Sequence, residues 1–283
     1  VCFFCPELTR RAKHRLALDA ELRAALERNE LLLYYQPQID PASGRIVGLE
    51  SLLRWQHPER GMIPPYEFIP LAEESGLVVR LGDWVLREAC RQIKRWSEVG
   101  LTPRHTAVNV SAVQLSRGRL IDSVKAALAE TGSRPEQLEL EITESCVLME
   151  RDRSFKALAE LSALGVRLSI DDFGTGYSSL SYLQQLEVHK LKVDISFVRG
   201  MTTNSGNASI VKAIIALGHS LGLEVIAEGV EEPAQASYLR SLHCDVIQGY
   251  LISRPIPADE MTHFLTSFEP PEILANESPS ASG

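Results

Sequence analysis

Asp171 and Asp172 stand side by side after a short apolar run, Val166 to Ile170, and before the loop Phe-Gly-Thr-Gly-Tyr-Ser-Ser. Neighbouring carboxylates repel each other, so a fold gains nothing from the pair alone. A hard divalent cation between them would change that, because such ions take carboxylate oxygens. Gly174 and Gly176 permit positive φ in a turn beside it. A polar loop that caps a helix through Ser178 and Ser179 is the plain alternative, and the pair alone does not decide. Comparable residues recur along other apolar runs: Glu50 and Arg54, Asn109 and Ser111, Glu139 to Glu144, Lys192 and Asp194, Glu228 and Glu231, and Gln248. One charged residue at a strand end is ordinarily a solvated rim residue. The same feature on every strand after the first reads as one constellation.

Glu50, Glu141, Asp171, Asp172 and Glu228, with Asn109, form a hard-oxygen donor set suited to Mg2+ or Mn2+. No His or Cys belongs to it, which argues against zinc. Asp171 could bridge two ions. Such a pair activates a water and stabilises the attacking and leaving oxygens of an in-line displacement at phosphorus. Lys192 and Arg54 would then donate to a phosphate or to the metal-bound water. These residues point to a metal-dependent phosphodiesterase or phosphatase and leave its substrate open.

The elements that must position them follow from periodicity. Residues 7–29 carry Leu16, Leu18, Leu22, Ala25 and Leu26 near helical spacing, which predicts an amphipathic helix connecting domains. Residues 31–39 and 46–55 are predicted strands joined by a turn at 41–44, hence antiparallel. Pro64, Pro65 and Pro70 bracket a helix over 66–74, and a longer helix covers 82–99. Six further strands, at 106–110, 138–142, 166–170, 190–193, 224–227 and 246–248, alternate with helices at 119–131, 153–164, 178–183, 205–221, 233–242 and 258–265. Strand–helix alternation implies a largely parallel sheet. Eight strands in a chain of 283 residues predict an α/β fold, a modified (β/α)8 barrel with the first strand antiparallel. An open doubly wound sheet is the alternative, but no Gly-x-Gly-x-x-Gly follows any strand. In a barrel the functional groups gather at the C-terminal ends of the strands. After Glu269 the chain is rich in Pro, Ser and Asn, and a disordered tail is expected over 269–283.

Composition narrows the class. The hydrophobic fraction is 45% and the charged fraction 23%, as in an ordinary soluble globular protein. A net charge of −8 argues against a nucleic-acid polymer as partner, which would call for a basic face. A phosphate ligand remains compatible where metal and arginine supply local positive charge. Five cysteines at irregular spacing fit reduced thiols in a cytoplasmic protein. Cys2-x-x-Cys5 lacks a second pair and reads as a terminal strand fragment rather than a zinc site. No apolar run approaches the roughly 20 residues that cross a bilayer, and the start has no signal-peptide pattern. Val1 stands where an initiator methionine would, so we expect a segment of a longer protein.

With these motifs in place, the chain resembles the EAL-domain family of cyclic di-GMP phosphodiesterases over about 16–265. The resemblance rests on Tyr35-Gln-Pro37, Glu50-Ser-Leu-Leu-Arg54-Trp55, Pro65 to Gly76, Asn109-Val-Ser-Ala-Val-Gln114 and Glu139-Leu-Glu-Ile-Thr-Glu-Ser145. Asp171-Asp-Phe-Gly-Thr-Gly-Tyr-Ser-Ser-Leu180, Lys192-Val-Asp194, Ala227-Glu-Gly-Val-Glu231 and Gln248-Gly-Tyr250 complete it. It implies a barrel that opens cyclic di-GMP to linear pGpG with two Mg2+ or Mn2+ ions, Ca2+ being inhibitory. It assigns one metal to Glu50, Asn109, Glu141 and Asp171, and a second to Asp171, Asp172 and Glu228. Lys192 is implied to position the attacking water and Glu228 matches the proposed base, the sequence leaving open which of the two is the general base. Arg54 is implied to contact phosphate. Gln36, Asp194, Gln248 and Pro255 are implied dinucleotide contacts, and Glu144 an anchor of the double-Asp loop. One departure lies in the signature, where Ser51 replaces alanine. Ser51 should point away from Glu50, into the helix layer. The resemblance also implies a homodimer formed through the barrel, near that loop. It divides the chain into the end of an upstream GGDEF-like domain (1–6), a linker helix (7–29), the barrel (30–268) and the tail (269–283). A catalytically inactive cyclic di-GMP receptor acting through a protein partner is the competing reading, although every candidate ligand is present.

Overall fold

Eight strands close on themselves in the computed structural model, which describes residues 6–101, 103–116, 119–149, 151–175 and 183–274. In chain order the strands are β1 (Leu31–Ile39), β2 (Ile46–His57), β3 (Gly61–Ile63), β4 (Thr106–Val110), β5 (Leu138–Thr143), β6 (Arg167–Phe173), β7 (Lys190–Val193), β8 (Glu224–Ala227), β9 (Val246–Gln248) and β10 (Ile256–Pro257). The ring runs β1, β2, β4, β5, β6, β7, β8, β9 and back to β1. β1 is antiparallel to both its neighbours, β2 and β9. The remaining ring pairings are parallel. This is the expected barrel with its first strand reversed. β3 and β10 are short additions, paired with β2 and β1, that the sequence pattern did not predict.

The strands alternate, and the alternation sorts their residues. Leu140, Ile142, Leu168, Ile170, Leu191 and Val193 join Leu158, Leu161, Val211 and Ile215 in the main core between barrel and helices. The intervening Glu139, Glu141, Lys190 and Lys192 meet across the barrel interior. That interior is therefore polar, and the apolar core is the layer outside it. The helices Val78–Glu98, Leu120–Thr131, Arg151–Ala163, Ser205–Ser220, Pro233–Ser241 and Ala258–Ser267 form the outer layer.

The amphipathic helix runs over Pro6–Ala25. Leu18, Leu22 and Ala25 pack into a second core with Leu31, Trp55, Phe68 and Leu81. The inner half of the predicted connector is thus part of the barrel's own packing. Three short helices, Ala112–Ser116, Glu144–Met149 and Ile195–Gly200, start just after β4, β5 and β7 and were not predicted. At five or six residues they are too short to show a helical period.

Two expectations need correction. The strand before the double Asp does not end at Ile170, because β6 continues through both carboxylates to Phe173. Its register against β7 shifts between Ile170 and Phe173, and Asp172 has a φ of 55°. This is a β-bulge with a left-handed residue, a conformation that aspartate tolerates better than most. The predicted tail also begins later than 269. Leu274 is fully buried and Arg240 donates to the Ile273 carbonyl at 2.9 Å, so 269–274 are packed on the barrel. Residues 178–182 of the helix expected at 178–183 and the tail beyond 274 lie outside the described residues, as do Cys2 and Cys5.

Candidate active site

Lys192 stands at the centre of the upper barrel interior. Its Nζ lies 2.6 Å from Glu228 Oε1, 2.7 Å from Glu141 Oε2 and 3.2 Å from Asp171 Oδ2. Four strands deliver these groups because each puts an inward-facing position at its C-terminal end. β2 adds Glu50. One of its oxygens accepts from Asn109 Nδ2 at 2.8 Å and the other from Gln248 Nε2 at 2.5 Å. Gln248 Nε2 also donates to Gln36 Oε1 at 3.0 Å, and Gln36 Nε2 donates to the Ser253 carbonyl.

The electrostatics of this cluster are lopsided. Burial, then the nearby Glu50, Asp171 and Glu228 charges, push the Glu141 carboxyl well above its ordinary range despite Lys192. Burial and the Asp171 and Glu50 charges push Glu228 up to about 8. Burial, then Asp171 and Asp194, raise Asp172 to about 6. Glu50 also resists burial, but Lys192, Gln248 and Asn109 hold it below its ordinary value. Lys192 is held well above its ordinary value because the surrounding carboxylates outweigh its burial.

One ammonium thus faces more negative charge than it neutralises. Among the described residues, no three His, Cys, Asp or Glu side chains converge in an arrangement that could hold a metal ion. Lys192 occupies the space between them. The donor set still fits a hard divalent cation. Its members are oxygens, its charge is in excess, and Glu141 Oε1 is buried without a hydrogen-bond partner.

The other residues singled out in the sequence sit as follows. Asp194 caps the helix Ile195–Gly200, accepting from Ser196 N at 2.9 Å, and its carboxyl lies beside that of Asp172. Glu144 is buried and accepts from the Gly174 backbone N–H at 3.4 Å, where the loop leaves β6. Arg54 donates to the Leu53 carbonyl at 2.9 Å and lies 5.5 Å over the Tyr34 ring. Ser51 donates to the Ala107 carbonyl of β4 at 2.6 Å. A cleft of about 260 Å3 is lined by Gln36, Glu50, Asp171, Lys192, Glu228 and Gln248. Asn109 and Arg54 line a neighbouring, mostly apolar cavity of about 360 Å3. Pro255 borders neither cavity.

Sequence reasoning missed Arg199 and Tyr250, which also line the cleft. Tyr250 carries the Arg254 guanidinium 4.3 Å above its ring. Sequence reasoning also grouped Glu139 with the mouth, whereas the fold sets it in a lower layer against Lys190, at 3.0 Å. The sequence spacing shows that there are two layers, though not which of them is the mouth. Glu139-x-Glu141 on one strand is answered by Lys190-x-Lys192 on another, which at period two makes two stacked layers.

A family model described as the EAL domain matches residues 19–255. This chain belongs to the EAL-domain family. The bifunctional diguanylate cyclase/cyclic di-GMP phosphodiesterase MucR of Pseudomonas aeruginosa is 47% identical over 260 residues, covering 92% of this EAL chain and 38% of MucR. The cyclic di-GMP phosphodiesterase PdeR of Escherichia coli is 41% identical over 257 residues, covering 91% of this chain and 39% of PdeR. The chain therefore spans well under half the length of these relatives. Among solved structures, the PaMucR phosphodiesterase in complex with c-di-GMP superposes with a TM-score of 0.84 at 48% identity, covering 87% of this chain and 99% of that one. The EAL domain of Mycobacterium smegmatis DcpA gives a TM-score of 0.70 at 37% identity, with 84% and 96% covered. Among the described residues, no helix of this EAL domain is long and apolar enough to cross a membrane.

Proposed function

We propose that this EAL domain is a cyclic di-GMP phosphodiesterase that opens its substrate to linear pGpG. The observation that carries the reading is the complete acidic set around Lys192 at the mouth of the barrel, with Glu50, Glu141, Asp171 and Glu228 converging from four strands. The relatives named as cyclic di-GMP phosphodiesterases support the choice of substrate. Glu50, Asn109, Glu141, Asp171, Asp172 and Glu228 would hold two Mg2+ or Mn2+ ions, which when bound activate water and stabilise the leaving oxygen. Lys192 holds the attacking water through its ammonium hydrogens. Glu228, raised towards neutrality by burial and by its acidic neighbours, takes the proton. Arg54 contacts phosphate, and Gln36, Asp194, Gln248 and Pro255 contact the dinucleotide. Glu144 braces the loop that follows Asp172. We also infer a cytoplasmic domain that acts as a homodimer below an upstream GGDEF or sensor domain. Light scattering of the purified chain tests the dimer.

The deciding experiment incubates the protein with cyclic di-GMP and Mg2+ or Mn2+ and follows pGpG by chromatography. Glu50→Ala and Glu228→Gln serve as controls. Turnover lost in both controls is the expected result. Tight cyclic di-GMP binding without product, across metals and protein concentrations, would make the domain a receptor instead.

A further inference from the structure

Below the acidic mouth, the barrel interior holds a second polar layer that the chemistry above does not use. Lys190 Nζ lies 3.0 Å from Glu139 Oε1, 2.9 Å from His105 Nε2 and 3.4 Å from Gln38 Oε1. All four side chains are fully buried. Gln38 then connects this layer to the mouth, because its Nε2 donates to Gln248 Oε1 at 2.9 Å. Gln248 in turn donates to Glu50 and Gln36.

We propose that Gln38, anchored by Lys190, is a positioning residue that turns the Gln248 amide so that its N–H hydrogens face Glu50. An ammonium only donates and a carboxylate only accepts. Lys190 closes one end and Glu50 the other, with two amides between them. Only one orientation of the amides satisfies both ends. Reversing Gln38 would press its NH2 group on the Lys190 ammonium. Reversing Gln248 would press its carbonyl oxygen on the Glu50 carboxylate. Each reversal leaves buried polar groups facing their own kind, which is costly where burial leaves little water to compensate.

The surrounding backbone is cut to fit this chain. Gly48 sits opposite Gln38 in the β1–β2 register. A Cβ there would fall 2.4 Å from His105 Nε2 and 2.9 Å from Gln38 Oε1. Val230 N donates to the Gln248 carbonyl at 3.0 Å, and Gly249 lets the Val230 backbone approach closely. The Gln248 main chain is therefore held, and the flip of its amide is what Gln38 decides.

The kinetic part of the test rests on the phosphodiesterase reading, and the spectroscopic part does not. Gln38→Glu and Gln38→Met are compared with the unsubstituted protein. The Glu variant keeps an acceptor for Lys190 but cannot donate to Gln248. The Met variant keeps volume and loses both bonds. We expect kcat/KM for cyclic di-GMP to fall about 10–100-fold in Gln38→Glu, and less in Gln38→Met, although Gln38→Glu melts at the higher temperature. A purely structural role predicts the opposite order of activity, and that order would overturn the proposal. The Gln248 side-chain amide resonance, identified by its loss in Gln248→Met, is expected to shift in Gln38→Glu. If the unsubstituted protein turned over no cyclic di-GMP, the functional reading would fall and this resonance alone would decide. An amide signal unchanged in Gln38→Glu sinks the positioning role in either case.

Discussion

Lys192 is the residue on which the site's electrostatics depend. It is the one cation within salt-bridge distance of Glu141, Asp171 and Glu228 among the described residues. Replacing it by methionine leaves those acids buried without a counter-charge. Turnover of cyclic di-GMP by Lys192→Met should fall by at least about a hundredfold, the scale of a lost acid–base or water-positioning group. Melting curves with and without Mn2+ should show a larger metal-induced rise in this variant than in the parent, because the cation then supplies the missing charge. Ser51 makes a contrasting case. Its hydroxyl bonds a neighbouring strand's carbonyl rather than anything in the cleft. Ser51→Ala should keep turnover within tenfold and lose about 1 kcal/mol of stability, the net value of one such hydrogen bond. Steady-state kinetics and urea titration read the two effects separately.

At the scale of the element, the bulge in β6 does what a regular strand could not. Successive residues of a strand point to opposite faces, so a regular β6 would send Asp172 into the helix layer. The left-handed turn at Asp172, with φ of 55°, re-aims its carboxylate towards Asp194 while Asp171 stays with Lys192. Glu144 then fixes the exit of this strand through the Gly174 N–H. Glu144→Ala is expected to lower activity and Mg2+ affinity by about 10–100-fold, as loss of bracing groups around a metal site does. Unchanged kinetics across a Mg2+ titration would reduce Glu144 to a helix-end residue. Replacing Mg2+ by Ca2+ should permit cyclic di-GMP binding without turnover, because Ca2+ takes longer, looser coordination. Calorimetry and chromatography on one sample would check both halves.

For the whole molecule, the lower polar layer makes stability depend on pH. Burial first, then Lys190, Arg167 and Arg104, lower the His105 pKa from 6.5 to about 3, against the pull of Glu139. His105 is therefore neutral in the fold, while in the unfolded chain it takes up a proton below pH 6.5. Its contribution is fully present above 6.5 and is lost as pH falls through that value towards 3. Between pH 7 and 5 this costs about 2 kcal/mol, one and a half pKa units at 1.36 kcal/mol each. Glu139 is held down at about 2, despite its burial, by Lys190 and its other neighbours. It adds a further loss only below about pH 4.5. The raised carboxyls of Glu141, Asp172 and Glu228 act in the opposite sense, adding stability as pH falls through the same window. The His105 share is therefore read by comparing urea midpoints at pH 7 and 5 between the parent and His105→Gln, in which that loss is expected to be absent. The partly buried His189 is lowered in the same direction and adds to the His105 loss in both proteins.

Read alone, the chain determines the barrel and most of its upper site, for a local reason. Strand–helix alternation sets the topology. Residues such as Glu50, Asn109, Glu141, Asp171, Lys192 and Glu228 interrupt apolar strands, and the fold must bring such interruptions to the inside of the barrel. The tertiary structure alone decided which polar residue belongs to which layer. Glu139 and Glu141 differ by two positions on one strand and look alike in sequence, yet one braces Lys190 below and the other meets Lys192 above. The bulge at Asp172, the short helices after β4, β5 and β7, and the packed segment 269–274 were also invisible. They depend on pairing between strands and on contacts across the barrel, which no local period encodes. Gln38 is the sharpest case. Nothing in Tyr-Gln-Pro-Gln marks it as a link to Gln248, because that link exists only once β1 is antiparallel to β9.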